Sequence, residues 1–214
     1  STTSSEKSSW SMMSYLGRVN YNYMSKYYAT ASFRVDGSSK FAKKNRYGLF
    51  PSASLAWNFS EEDFMKEYKS ILSNGKLRAS WGLTGNNRVG EYEAYALLKM
   101  AKAASNNLPS GVYPFENNQN SIGMVPISLA NKDLKWETTD QYNVGLDFGF
   151  LKNRIALSVN YYYKKTRDLL QYVSIPSSTG FSNMWTNFGH VTNEGIELTG
   201  QFYAIDTKDW GLDF

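Results

Sequence analysis

Tyr15-Leu16-Gly17-Arg18-Val19-Asn20-Tyr21-Asn22-Tyr23, a three-residue gap, then Tyr27-Tyr28-Ala29-Thr30-Ala31-Ser32-Phe33-Arg34-Val35-Asp36: these two runs decide the fold. In both, the odd positions are rings, glycine or aliphatic residues, while Arg18, Asn20, Asn22, Thr30, Ser32, Arg34 and Asp36 fall on the even ones. Strict alternation means a strand with one apolar and one polar face. Each run is about 9–10 residues long, the length of a tilted strand that crosses a bilayer. With residues 24–26 between them they read as a hairpin.

The same pattern continues outward. Residues 49–59 place Leu49, Pro51, Ala53, Leu55, Trp57 and Phe59 on one face, with Pro51, which has no N–H, expected near the strand start. Further runs are expected at 77–84, 142–150, 155–163 and 196–204, and an eighth begins with Trp210, Leu212 and Phe214. Their connections alternate in length. Residues 24–26, 151–154 and 205–209 are short; 37–47, 85–138 and 166–193 are long. Residues 60–75, on the short side, should hold one short helix, with Ser60 and Asp63 as a capping box and Phe64, Tyr68 and Leu72 at helical spacing.

Tight turns at one end and long loops at the other are the habit of outer-membrane barrels. Rings also crowd the short-turn ends, at Tyr23, Tyr27, Trp57, Phe59, Phe148, Phe150 and Trp210, as a girdle at a membrane interface requires. The fold expected is therefore all-β: a transmembrane antiparallel β-barrel, present as a partial wall of about eight strands, with long extracellular loops and one short periplasmic helix. Residues 1–214 belong to a single barrel domain in this reading.

Composition agrees. Sixteen Tyr, 12 Phe and 6 Trp sit in a chain whose mean hydropathy is only -0.49, more ring than a polar chain needs for a core. No stretch approaches the roughly 18 apolar residues of a membrane helix. There is no cysteine, so no disulfide and no thiolate metal site. The net charge of +4 fits a mixed solvated surface, and nothing indicates nucleic-acid binding. Residues 1–10 lack the apolar region of a signal peptide, so an export signal is expected upstream.

Several segments resemble the SusC/RagA family of TonB-dependent transporters of Bacteroidota. They are Asp36-Gly37-Ser38-Ser39-Lys40-Phe41, Asn45-Arg46-Tyr47-Gly48-Leu49-Phe50-Pro51-Ser52 with Ala56-Trp57, and Lys76-Leu77-Arg78-Ala79-Ser80-Trp81-Gly82-Leu83-Thr84-Gly85-Asn86. Asn131-Lys132-Asp133-Leu134-Lys135-Trp136-Glu137-Thr138-Thr139 through Gly145-Leu146-Asp147, and Asn193-Glu194-Gly195-Ile196-Glu197-Leu198, complete the series. The resemblance implies a large barrel closed from within by an N-terminal plug, a SusD-like lipoprotein lid, and import of bulky glycans or peptides driven by the TonB complex through that plug. A barrel of that type has about 22 strands, so the chain is expected to be an internal piece without plug, TonB-contacting segment or closure, unable to transport alone.

Chemistry-bearing residues are few. His190 has no second ligand nearby for a metal. Asp36-Gly37-Ser38 could offer oxygens to calcium, but a turn entering a loop explains them. Glu61, Glu62 and Asp63 suit the first turn of a helix. Gly82-Leu83-Thr84-Gly85 lacks the Lys-Ser/Thr of a phosphate loop. No catalytic set, cofactor or metal is expected, and no enzyme. Substrate contact is assigned to the inner face, at Arg18, Arg34 and Arg78, and to loop rings at Tyr113, Phe115 and Trp185; a solvated lumen and loop packing explain the same residues. Two rivals remain: a soluble β-sandwich that binds glycans, and a small, non-energised closed barrel.

Overall fold

The computed structural model describes residues 8–100, 112–115, 119–122, 124–206 and 211–213. Its strands are β1 Met12–Tyr23, β2 Tyr27–Ser38, β3 Tyr47–Trp57, β4 Leu72–Asn86, β5 Leu98–Met100, β6 Val112–Phe115, β7 Gln119–Ile122 and β8 Met124–Pro126. After these come β9 Glu137–Phe150, β10 Ile155–Arg167, β11 Leu170–Ser174, β12 Asn183–Asn187, β13 His190–Asp206 and β14 Gly211–Asp213. Eight of them form one antiparallel sheet in the order β1-β2-β3-β4-β9-β10-β13-β14. Three two-stranded pieces, β5-β8, β6-β7 and β11-β12, lie in the long connections.

Register keeps the two faces apart across the whole sheet. Tyr21, Ala29, Leu55, Ala79, Val144, Tyr161 and Ile196 are mutual neighbours in one row. One step along, Asn20, Thr30, Ser54, Ser80, Asn143, Tyr162 and Gly195 make the next. A slip of one residue would exchange these faces, so the pattern fixes the register. On the apolar face Leu55 is 64% exposed, Ile196 69% and Leu198 76%, so no second layer covers it among the described residues. That excludes the β-sandwich, whose two sheets would bury this face against each other. Nor do β1 and β14 pair with each other among the described residues, and the sheet is open. No helix among them is long and apolar enough to cross a membrane.

Along β9 the outward side chains run Tyr142, Val144, Leu146, Phe148 and Phe150, preceded by outward Asp140. The roughly ten residue steps from Asp140 to Phe150, at about 3.4 Å each and tilted about 40°, span about 25 Å, the height of the apolar band of a membrane barrel. The lower edge of that band is a chain of ring contacts. Tyr23 and Tyr27 lie 6.5 Å apart, Trp57 and Phe59 5.9 Å, Phe59 and Phe148 6.2 Å, and Phe148 and Phe150 6.1 Å. Gly75 makes room for it: a Cβ there would run into the Phe59 ring.

Four expectations need correction. The strands reach further toward the long loops than alternation alone suggested, so the loops begin at residues 39, 87 and 168. Asp36-Gly37-Ser38 is accordingly no turn. Gly37 pairs with Tyr47 inside the ladder, and the Tyr47 ring covers the space a Cβ would fill. Pro51 sits within β3 opposite Phe33, not at the strand start. The ladder to β4 begins only at Ser52, so the missing donor leaves no rung unmade on that side. The fourth is the helix of residues 60–75. Two 3-10 segments, Phe59–Glu61 and Asp63–Tyr68, replace it, with no side-chain cap on either, and Leu72 already belongs to β4. Glu62, extended at ψ 152, breaks the helix because its carboxylate is engaged elsewhere. Of the eighth strand, Trp210 and Phe214 lie outside the described residues.

Candidate functional site: a polar inner wall beneath a packed rim

The polar face of β1–β4 and β9 lines a concavity of about 930 Å³. Arg18, Asn20, Thr30, Ser32 and Arg34 come from β1 and β2, Ser52 and Ser54 from β3, Ser80 from β4, Gln141 and Asn143 from β9. Short hydroxyl and amide pairs knit this wall: Thr30 Oγ1 donates to Asn20 Oδ1 at 3.0 Å, and the Ser32 and Ser52 hydroxyls are 2.7 Å apart. Two guanidinium groups and no carboxylate line the concavity. Leu16, Phe33, Phe50, Trp81 and Leu83 line it as well, so its surface is mixed in polarity and locally cationic.

The three inner arginines differ in what they have left to offer. Arg18 is exposed and has no side-chain partner among the described residues. Arg34 gives Nε to Asp36 Oδ2 at 2.8 Å but keeps a half-exposed side chain. Arg78 is committed to the wall. Its Nε and Nη2 fork onto Asp147 at 2.6 and 2.8 Å, Nη2 also reaches Asn160 Oδ1 at 2.9 Å, and Ser158 Oγ donates to the same carboxylate at 2.7 Å. Gly145 beneath is what lets the guanidinium lie there, since a Cβ would meet both Arg78 and Asn160. The sequence singled out Arg78 but not these partners, which strand register alone brings together.

Above the wall, at the long-loop end, lies the buried core. Phe41, Phe50, Val89, Leu134 and Trp136 form one cluster, with Leu83, Leu170 and Trp185 packed against it. Trp136 stands 5.3 Å from Phe41 and 5.5 Å from Phe50, and its indole N–H donates to the Arg46 carbonyl at 3.2 Å. Polar bonds tie the three long loops around it. Asn45 Nδ2 donates to the carbonyls of Asp133 and Leu134 at 3.0 and 3.1 Å, and Lys44 pairs with Asp133. Asn87 donates to Ser38 Oγ at 3.2 Å, and Asn187 Nδ2 donates to the carbonyls of Lys135 and Asp168 at 2.9 and 2.8 Å.

This places the loop candidates. Trp185, in β12, contacts Tyr172 at 5.6 Å and leans on the buried cluster, so loop packing already employs it. Tyr113 and Phe115 stand on β6 of a hairpin; their side chains lie outside the described part of the structure. Among the described residues no group of three metal-binding side chains occurs.

At the opposite end Glu62 gathers the polar tips of the lower girdle. Tyr27 OH donates to it at 2.6 Å, Lys26 Nζ at 3.0 Å and Trp57 Nε1 at 3.1 Å. These three donors, the phenol first, hold its carboxyl down at about 2 against an ordinary 4.5. The charged form is the one the fold favours, so this contribution to stability is complete above about pH 4.5 and fades as pH falls towards 2. Glu62→Gln is expected to lower the denaturant midpoint near neutrality, with the gap to wild type closing in acid. An equal gap at every pH would show that the charge is irrelevant.

One apolar and one polar face, a ring girdle below and a loop core above define the wall of a membrane β-barrel of the receptor type. The chain belongs to the TonB-dependent receptor-like, β-barrel family, whose model matches residues 1–214. It is 41% identical over 206 residues to TonB-dependent receptor SusC of Bacteroides thetaiotaomicron, covering 95% of this chain and 20% of that one. With TonB-dependent receptor P39 of Formosa agariphila it shares 42% identity over 198 residues, 92% of this chain and 18% of the relative. The RagAB peptide importer in its open-open state superposes with a TM-score of 0.79 at 30% identity, over 94% of this chain and 20% of that one. A siderophore receptor, PirA of Pseudomonas aeruginosa, matches with a TM-score of 0.56 at 13% identity over 93% of this chain and 32% of its own, a likeness of fold alone. The chain spans about a fifth of the length of the curated relatives it matches.

Proposed function

We propose that this chain forms part of the wall of a TonB-dependent importer in the outer membrane of a Gram-negative bacterium of the Bacteroidota type. The cargo is bulky and hydrophilic, a glycan or an oligopeptide, and a SusD-like surface lipoprotein works as its lid. The observation that carries the reading is the sheet itself: an unbroken apolar face about as tall as a bilayer's hydrocarbon core, backed by an inner face of hydroxyls, amides and arginines. Similarity to SusC and to the RagAB peptide importer supports energised uptake and a lipoprotein partner. Residues 1–214 then belong to one barrel domain, with the plug that meets the TonB complex supplied from elsewhere in the polypeptide. Arg18 and Arg34 are the inner-wall residues best placed to meet cargo, and Tyr113, Phe115 and Trp185 the loop candidates; Arg78 braces the wall. No catalytic step is assigned to it.

The test is the intact mass of the protein purified from native outer membrane in mild detergent, with whatever accompanies it. A polypeptide several times larger than 24.3 kDa, with a lipoprotein partner, is expected. A chain of that mass alone, folded and heat-modifiable on a gel, would end the importer reading.

A further inference from the structure

We propose that residues 59–71, between β3 and β4, are a second membrane contact: an anchor lying in the headgroup layer of the periplasmic leaflet, seated on zwitterionic phospholipid. It rests on the reading of the sheet as an outer-membrane wall and adds a lipid-binding surface below the apolar band. The segment springs from inside the sheet, with two strands before it and four after it, so neither open edge adjoins it.

Its first contacts fix the side of the wall on which it lies. The Phe59 ring packs edge-on to Trp57 and Phe148 and covers Gly75. Glu62 accepts from Tyr27 OH and Trp57 Nε1. All of these partners belong to the outward rows. The segment is therefore on the lipid side, and the sheet separates it from whatever fills the lumen.

Beyond Glu62 the helical pitch sorts the side chains. Asp63–Tyr68 is 3-10, and the N–H groups of Met65, Lys69 and Ile71 each donate to the carbonyl three residues back. At that pitch every third side chain aligns. Met65, Tyr68 and Ile71 make one ridge; Asp63, Lys66 and Lys69 make another, closed by the pairs Lys66–Asp63 at 2.8 Å and Lys69–Glu61 at 2.9 Å. Tyr68 and Ile71 are 57% and 61% exposed, and Phe64 on the flank is 63% exposed. The apolar ridge joins the girdle. Leu151 N–H donates to the Ile71 carbonyl at 3.0 Å, which brings exposed Leu151 alongside, and Leu72 pairs with outward Phe150. One apolar surface thus runs from Phe59, Phe148 and Phe150 through Leu72 to Ile71.

That continuity selects the occupant. Rings and aliphatic side chains that extend a lipid-facing girdle, with a charged ridge on another side, are what an in-plane segment sets at the boundary of headgroups and acyl chains. A tyrosine there buries its ring and keeps its hydroxyl among the headgroups. Charge refines the choice. Residues 59–71 carry four carboxylates and two lysines, so an anionic headgroup is repelled. A zwitterion offers its ammonium to exposed Glu67, which has no side-chain partner among the described residues.

The test is nitroxide labelling of the full-length protein, otherwise free of cysteine, in vesicles of phosphatidylethanolamine and phosphatidylcholine. Phe64→Cys, Tyr68→Cys and Ile71→Cys are labelled one at a time, with Leu55→Cys as the reference for hydrocarbon and Lys66→Cys as that for water. Retained heat-modifiability shows that each variant folds. The ratio of collisions with oxygen to collisions with a water-soluble nickel chelate is expected to be several-fold higher at 64, 68 and 71 than at 66, and lower than at 55. Anionic phosphatidylglycerol added to the vesicles should leave it unchanged, and a rise would overturn the zwitterionic assignment. Ratios at 64, 68 and 71 equal to that at 66 would overturn the anchor, and labels shielded from both reagents would overturn it in favour of a protein partner. In both cases a nickel-shielded label at 55 keeps the wall reading intact. A nickel-accessible label at 55 would bring down that reading itself, and the anchor with it.

Discussion

Arginine at Leu55 is expected to cost the folded barrel about 2–4 kcal/mol in a lipid bilayer, whereas arginine at Ser54, the residue before it, should cost about 1 kcal/mol or less. Leu55 lies in the middle of the outward face, in the row of Tyr21, Ala29, Ala79, Val144, Tyr161 and Ile196. A guanidinium there must shed water into hydrocarbon or drag the interface towards itself, and both are expensive. Ser54 points the other way, into the large inner concavity, where Arg18 and Arg34 already stand. A new cation meets water and oxygens there. Denaturant unfolding of the full-length protein from lipid vesicles would measure both. Equal costs would mean that the two faces do not see different solvents, and the wall would have to be something other than a membrane barrel.

That contrast between adjacent residues is also why so much of the fold could be read from the sequence. A strand with lipid on one side and water on the other writes its environment into every second residue. Of the seven full runs that alternation marks, 15–23, 27–36, 77–84, 142–150, 155–163 and 196–204 fall inside observed strands, and 49–59 overruns the end of β3 by two residues. Alternation fades where the outer face leaves the lipid, and there the reading stopped short. Gly37, Ser38, Asn86 and His190 still belong to ladders, beyond the last residues whose alternation marks a strand. The helix expected after Ser60 failed for a different reason. Local spacing suggested an amphipathic turn, and a tertiary contact, Glu62 drawn to Tyr27, Lys26 and Trp57, won over it. Site chemistry was least legible. Arg78 was visible as an inward charge, but its capture by Asp147 and Asn160 depends on register across three strands. The segment of Ser9 and Trp10 lies some eighty residues before Tyr92, and their contact gave no signal in the sequence. The segments that carried the family resemblance have a plain physical meaning. Phe41, Phe50, Leu134 and Trp136 all come from them, and together they make the only sizeable buried cluster among the described residues.

Trp136→Ala should therefore open the rim while leaving the membrane sheet standing. The indole is 6% exposed, edge-on to Phe50 and tilted against Phe41, and replacing a buried ring of this size by a methyl group costs about 3–5 kcal/mol. Its N–H bond to the Arg46 carbonyl is lost as well, worth about 1 kcal/mol more, although that carbonyl keeps the Ser38 backbone N–H as a donor. No neighbour can refill the gap cheaply. Phe50 is wedged over Gly48 and Gly85, whose missing side chains are what admit it, so a shift of its ring toward the void would abandon those contacts. The wall strands depend on ladders rather than on this cluster, so the loss is local: the loops at 39–46, 87–95 and 131–136 come free while the sheet keeps its heat-modifiable mobility. Limited proteolysis of the receptor in detergent should show new cuts in those three loops and none in the turns at 24–26 or 151–154. Trp136→Phe, which keeps most of the ring, should cut more slowly than the alanine variant. If the alanine variant resisted protease as well as wild type, the rim core would not be what holds the long loops. The loop after β4 would then be held by the Lys40 bond to the Val89 carbonyl and the Tyr92 bond to Ser9, since the cluster engages that loop only through Val89 among its described buried residues.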